Sequence, residues 1–218
     1  MYRVYLLPGL GANYKLFDRV QSLDYDFVVL DWIVPRPGET MAGYAGRLAE
    51  RIGPTAPFAL VGVSFGGMVA VELAKIVKPR KVILISSAKD RTEIPWYFKI
   101  FRFVRLHKVL TENVIKRLAL MTGPLFGKPV RMTRGERDLF KEMLDAANYD
   151  FIRWALDAVV TWDNTDPPAG VIHLHGDRDR ILPIRYIKNP VTIQGGNHYM
   201  ILTQFDAVRE RVREYLKG

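Results

Sequence analysis

Cysteine is absent from the 218 residues. That excludes disulfides, thiolate metal sites and a cysteine nucleophile, so any covalent catalyst in this chain is built on another side chain. A chain without disulfides fits a reducing compartment, and a cytoplasmic location is expected. Histidine is scarce: His107, His173, His175 and His198 make up the full set of four, which narrows the choice of a base working near neutrality. Long hydrophobic runs are also missing. Met1–Leu7 is too short for the apolar part of a signal peptide, and Pro8-Gly9 ends it. Ile52–Val71 runs 20 residues without a charge, but Gly53, Pro54, Pro57, Gly62, Gly66 and Gly67 would break a spanning helix. A strand, a turn and a helix in succession account for it better, and a soluble protein with no membrane span is expected.

Hydrophobic residues make up 49% and charged residues 25%, a balance that supports a packed core and excludes general disorder. The net charge of +9 is unevenly spread. Residues 88–141 carry 13 basic and 5 acidic side chains, so one middle segment holds nearly all the excess. Such a patch attracts anionic partners, or is simply a solvated face. Its aromatics, Trp96, Tyr97, Phe98, Phe101 and Phe103, mix with basic residues as in single-strand binders. No nucleic-acid-binding module accompanies them, and no nucleic-acid partner is expected.

Six short apolar runs read as strands: Val4–Leu7, Phe27–Leu30, Phe58–Val61, Val82–Ile85, Val171–His175 and Val191–Ile193. Continuous rather than alternating apolar residues indicate a sheet covered on both faces. Helical patterns lie between them. Thr40 is placed to cap a helix over Met41–Ile52, Met68–Val77 follows the third strand, and Phe205–Leu216 closes the chain. Alternation of this kind predicts an α/β fold with a mostly parallel sheet of about six strands flanked by helices. The alternation breaks between residues 88 and 160, where the pattern is helical throughout. Its most marked stretch is Trp96–Leu110, with Trp96, Ile100, Phe103, Val104 and Leu110 on one side. The expected organisation is a core of residues 1–87 and 161–218, with residues 88–160 inserted as a helical lid.

Gly62-Val63-Ser64-Phe65-Gly66-Gly67 follows the third strand and precedes a helix, matching G-x-S-x-G. The turn from strand to helix is so tight that side chains flanking Ser64 would collide. It lifts the Ser64 hydroxyl above the sheet edge and puts the Phe65 N–H at a helix N-terminus, where it can donate to an oxyanion. A serine nucleophile needs a base, and the base needs an orienting acid. His198, in Gly196-Asn197-His198 between the last strand and the last helix, falls at the same sheet edge as Ser64. The acid is expected in the loop after the fifth strand, where Asp179 is preferred. Asp177 is assigned to the turn by an Asx-type bond, and Asp90, after the fourth strand, is a third candidate. The second oxyanion donor is expected from Pro8-Gly9-Leu10-Gly11, as the Leu10 N–H. Gly9-Leu10-Gly11 also imitates a dinucleotide fingerprint, but Tyr14 stands where the third glycine is required. His173 and His175 lack further ligands at useful spacing and read as core histidines, so neither metal nor cofactor is expected.

On Pro8–Gly11, Gly62–Gly67, His175-Gly176-Asp177-Arg178-Asp179 and Gly196–His198, the chain resembles the α/β-hydrolase superfamily, and within it a small capped serine esterase. The resemblance spans residues 4–87 and 165–217, and the order Ser64, Asp179, His198 is that of the superfamily's triad. Many relatives have His-Gly where this chain has Pro8-Gly9, and the two usual leading strands are missing. The resemblance implies cofactor-free cleavage of a carboxylic ester or thioester, with Ser64, His198 and Asp179 as the triad and Leu10 and Phe65 N–H groups as the oxyanion hole. An acyl group on an anionic carrier or coenzyme A, docked on the basic lid, is the alternative substrate. A non-hydrolytic role as a lyase or binding protein is the alternative function.

Overall fold

Six strands, β1 (Arg3–Leu7), β2 (Asp26–Val29), β3 (Phe58–Val63), β4 (Lys81–Ile85), β5 (Ile172–Gly176) and β6 (Val191–Ile193), form one sheet in the computed structural model. The structure describes residues 3–18, 20, 25–53, 57–98, 112 and 132–217. The strand order is β2-β1-β3-β4-β5-β6, with every pairing parallel. The sheet therefore matches the α/β architecture that the apolar runs predict.

Residue alternation explains the two-faced burial. Tyr5, Leu7, Leu60, Val82 and Leu84 point to one face and pack with α1 (Met41–Ala49), α2 (Phe65–Val77) and helix Tyr149–Thr161. Val4, Leu6, Ala59, Val61, Val63, Ile83 and Ile85 point to the other and pack with the last helix, Phe205–Lys217, through Val208, Val212 and Leu216. A strand with apolar residues at both parities cannot have a wet face, which is why the runs are continuous. In chain order the helices from residue 134 onward are α3 (Arg134–Asp145), α4 (Tyr149–Thr161), α5 (Met200–Thr203) and α6 (Phe205–Lys217).

Helix ends follow local chemistry. The Thr40 hydroxyl accepts from the Gly43 N–H at 3.1 Å and starts α1 where expected, though α1 stops at Ala49, before Gly53. α3 opens on a reciprocal capping box between Thr133 and Glu136, and α4 on Asn148. α2 starts at Phe65, three residues earlier than its apolar pattern indicates. Gly66 and Gly67 read as helix breakers in isolation, but here they are selected by contact. A Cβ on Gly62 would sit 2.5 Å from the Gly66 carbonyl oxygen, and one on Gly67 would be 2.6 Å from Ser87 Cβ.

Among the described residues the segment between β4 and β5 holds no strand, and its helical parts are Trp96–Phe98, Glu112, α3 and α4. Trp96–Phe98 begin a helical turn with Trp96 61% exposed, and the rest of the expected Trp96–Leu110 helix lies outside the described residues, as does His107. Ala88, Ile94, Phe151, Ala155, Ala158 and Trp162 from this part of the chain belong to the core layer that holds α1 and α2. Asn164, in the connection from α4 to β5, is buried: its side chain accepts from Lys75 Nζ at 2.6 Å and donates to the Lys89 carbonyl at 2.9 Å.

The crossing of β1 and α2 gives a paired test. A Cβ on Gly66 would land on the Leu7 and Pro8 carbonyls, whereas one on Gly46, inside α1, meets nothing within 4 Å. Gly66→Ala is expected to lower the unfolding free energy by more than about 3 kcal/mol, because backbone rather than a flexible side chain must move. Gly46→Ala is expected to raise it by about 1 kcal/mol from helix propensity. Denaturant midpoints of the two variants against wild type measure both.

Candidate active site

The strand order reverses between β1 and β3, since the chain runs from β1 out to β2 and returns to β3 on the other side. Open α/β sheets bind ligands at such a switch point, outside the carboxyl ends of the strands. Ser64 sits there, between β3 and α2, with φ 51° and ψ −121°. This is a strained conformation for a residue with a side chain, and it persists because its surroundings over-determine it. The Ser64 N–H donates to the Ile85 carbonyl at 2.9 Å. The Ser64 carbonyl accepts from Gly67 N–H at 2.9 Å and from Ser87 Oγ at 2.7 Å. Phe65 is the first residue of α2, so its N–H has no acceptor within the helix. Gly9, in the loop after β1, passes close enough that a Cβ there would lie 3.5 Å from Ser64 Cβ, which puts Leu10 in the loop beside the serine.

Loops from β5 and β6 meet the serine from the other side. The Arg178 N–H donates to the Gly196 carbonyl at 2.8 Å, tying the two loops together. Their backbones approach so closely that a Cβ on Gly176 would lie 2.8 Å from Gly196 Cα. Asn197 shapes the second loop: its Oδ1 accepts from Tyr199 N–H at 2.8 Å and its Nδ2 donates to Thr203 Oγ1 at 3.1 Å. His198, 10% exposed, follows with Nε2 3.0 Å from Ser64 Oγ and Nδ1 2.8 Å from Asp179 Oδ2. A carboxylate only accepts, so Nδ1 carries the hydrogen and Nε2 is left to accept from the serine hydroxyl. The Asp179 side chain is fully buried, and its Oδ1 accepts from Ile181 and Leu182 N–H, both at 2.9 Å. The structure thus brings Ser64, His198 and Asp179 into one hydrogen-bonded row and sets Leu10 and Phe65 beside it.

The scan of protein families matches the alpha/beta hydrolase family model over residues 4–211. The chain belongs to the alpha/beta hydrolase family. Among solved structures, it is similar to a thermophilic esterase from Thermogutta terrifontis, at 19% identity and a TM-score of 0.74, covering 100% of this chain and 90% of that one. It is also similar to an esterase from Exiguobacterium antarcticum at 16% identity, TM-score 0.75, covering 100% and 92%. A third is the 2-hydroxy-6-oxo-6-phenylhexa-2,4-dienoate hydrolase from Rhodococcus sp. strain RHA1, at 20% identity, TM-score 0.67, covering 100% and 91%. No curated protein sequence matches the chain.

The other two candidates for the acid lie outside this row. Asp177 is exposed, and the Asx-type bonds expected of it are made by Asp179. Asp90 is buried, bonded to Thr92 N–H at 2.7 Å and Lys188 Nζ at 2.9 Å. Among the described residues no group of three His, Asp or Glu could hold a metal ion, and no helix is long and apolar enough to cross a membrane.

Two features escape sequence reasoning. The Phe65 ring is clamped by Trp32, Phe151 and Trp154, with centroids 5.5, 5.9 and 6.0 Å away, and Tyr44 adds a contact with Trp154 at 4.4 Å. This cluster flanks a cavity of about 230 Å³, bounded by Gly11, Ala12, Trp32, Met143 and Phe151. The second feature is buried behind Asp179. His175 Nε2 is 2.7 Å from the Leu182 carbonyl and 3.4 Å from Asp179 Oδ2, and its Nδ1 is 3.2 Å from His173 Nε2. The spacing of four between His175 and Asp179 across a turn is the one signal that the sequence carries for it.

These buried groups set the pH dependence of stability. Burial, reinforced by repulsion from His175, holds His173 well below the ordinary 6.5, and burial, with repulsion from His198, lowers His175 against the opposing Asp179 charge. Lys89 also lowers His173, and the Ser87 carbonyl opposes that. The unfolded chain therefore takes up two protons near pH 6.5 that the native state refuses. Their contribution is full above 6.5 and is lost as the pH falls below it. Burial raises Glu93 above its ordinary 4.5, against the Lys89 and Lys188 N–H groups, so it works in the opposite sense as the pH falls toward 4.5. Two histidines against one carboxyl leave a net loss of stability as the pH falls below 6.5, and Glu93→Gln is expected to steepen it. Chemical unfolding at pH 7, 6 and 5 measures the slope; a native state that gains stability on acidification contradicts it.

Proposed function

We propose that the protein is a cofactor-free serine hydrolase that cleaves a carboxylic ester or thioester through an acyl-enzyme. The observation that carries this reading is the unbroken row from Ser64 Oγ to His198 Nε2 at 3.0 Å and from His198 Nδ1 to Asp179 Oδ2 at 2.8 Å. Ser64 Oγ attacks the substrate carbonyl while its proton passes to His198 Nε2. The buried Asp179 carboxylate stabilises the imidazolium and holds the tautomer that makes Nε2 the base. The new oxyanion lies between the N–H groups of Phe65, at the positive end of α2, and Leu10 in the adjoining loop. His198 then protonates the departing alcohol or thiol as the C–O or C–S bond breaks. Water, deprotonated by the same histidine, releases the acid and restores Ser64. Membership in the alpha/beta hydrolase family supports this reading.

The test is hydrolysis of p-nitrophenyl esters from acetate to palmitate. Ser64→Ala is expected to abolish turnover. Asp179→Asn is expected to reduce kcat by about 10³- to 10⁴-fold, since the amide no longer fixes the required tautomer. Retention of full turnover by Ser64→Ala contradicts the mechanism, and no turnover on any ester by wild type favours a non-hydrolytic role.

A finer reading concerns the leaving group. The excess of basic residues in 88–141 favours an acyl chain on an anionic carrier such as coenzyme A. The expected outcome is that kcat/KM for an acyl-coenzyme A falls steeply between 50 and 500 mM salt (about 0.05 and 0.5 M) while that for a neutral ester barely changes. Equal insensitivity of both substrates rules the carrier out.

A further inference from the structure

Behind Asp179 lies a line of buried polar side chains that the triad reading does not use. His173 and His175 are adjacent inward positions of β5, with side chains fully excluded from solvent. The Leu182 carbonyl only accepts, so His175, at 2.7 Å, must carry its hydrogen on Nε2. A neutral His175 then has a bare Nδ1, and the 3.2 Å contact with His173 requires His173 to donate from Nε2. His173 in turn has a bare Nδ1, which makes no hydrogen bond and lies 3.7 Å from Glu93 Oε2. Glu93 is held by the N–H groups of Lys89 and Lys188, each at 2.8 Å, and by Lys89 Nζ at 3.4 Å. Every hydrogen in the line therefore points the same way, toward Asp179. The His175 N–H ends the line on the Leu182 carbonyl, and Asp179 Oδ2 lies 3.4 Å from the same nitrogen.

We propose that His175, oriented by His173, is a positioning residue that fixes the Asp179 carboxylate for His198. The inference rests on the assignment of Ser64, His198 and Asp179 given above. Asp179 Oδ1 is pinned by the Ile181 and Leu182 N–H groups, and the Leu182 carbonyl in turn accepts from His175 Nε2, so His175 holds the turn that orients the carboxylate. Oδ2 accepts from His198 and lies 3.4 Å from His175 Nε2. His173 Nε2–H occupies His175 Nδ1 and so excludes the flipped tautomer, in which His175 would present a lone pair to both the Leu182 carbonyl and Asp179. Two lone pairs 2.7 Å apart at the Leu182 carbonyl would repel and open the turn that carries Asp179.

Three readouts decide the matter. Imidazole ¹⁵N shifts in the wild-type protein are expected to show His175 and His173 both protonated at Nε2 and bare at Nδ1; a proton on His175 Nδ1 overturns the proposal without any variant. His175→Leu is expected to lower kcat on a p-nitrophenyl ester by about ten-fold or more with KM within about two-fold, because alignment rather than binding is lost. His175→Gln, whose amide can replace the Nε2–H donor, is expected to recover most of that loss. The far-downfield proton resonance of His198 Nδ1–H should shift or broaden in His175→Leu and persist in His175→Gln. Wild-type kcat and an unchanged resonance in a folded His175→Leu overturn the proposal while leaving the serine mechanism intact. Absence of wild-type ester turnover counts against the serine mechanism instead, and the two NMR readouts then decide the positioning claim alone.

Discussion

The backbone crossing at Ser64 constrains more of this molecule than any other contact. β3 must turn into α2 within a single residue, and that residue pays with a positive φ of 51°. The turn closes only if Gly62, Gly66 and Gly67 present no side chains to one another, to the end of β1 or to Ser87. Once closed, it aligns α2 against β1, sets the Phe65 ring into its aromatic clamp and leaves the Ser64 hydroxyl proud of the sheet. Strain of about 1–3 kcal/mol at one residue is small beside the apolar burial on both faces of a six-stranded sheet, and it persists for that reason.

The second constraint is electrostatic. A carboxylate with no solvent exposure, such as Asp179, is tolerated only when its oxygens are supplied with donors, since breaking a buried charged pair costs about 3–5 kcal/mol. Its partners come from its own turn and from the β6 loop, so folding of the turn and placement of His198 are one event. The backbone bond from Arg178 to the Gly196 carbonyl and the glycine pair 176 and 196 bring those loops within reach. The geometry that aligns the base is therefore a by-product of satisfying a buried charge.

The strands were legible because both parities of each run are apolar, and the Ser64 elbow because glycine at three positions around one serine has a steric cause. Asp179 over Asp177 was legible from its depth in the loop, although the Asx bonds belong to Asp179 itself. The start of α2 at Phe65 was not, because Gly66 and Gly67 signal a break until the contacts of Gly66 with the end of β1 and of Gly67 with Ser87 are known. The clamp of Trp32, Tyr44, Phe65, Phe151 and Trp154 draws on four segments spread over more than 100 residues, and no local period encodes it. The same holds for Glu93 behind His173, which meets β5 only through the sheet.

The central claim is that Ser64 is an activated nucleophile, and covalent labelling tests it most directly. A fluorophosphonate probe followed by peptide mass spectrometry is expected to give one adduct, on the peptide containing Ser64, with labelling strongly slowed in His198→Ala. An unlabelled protein, or an adduct on any other residue, contradicts the account.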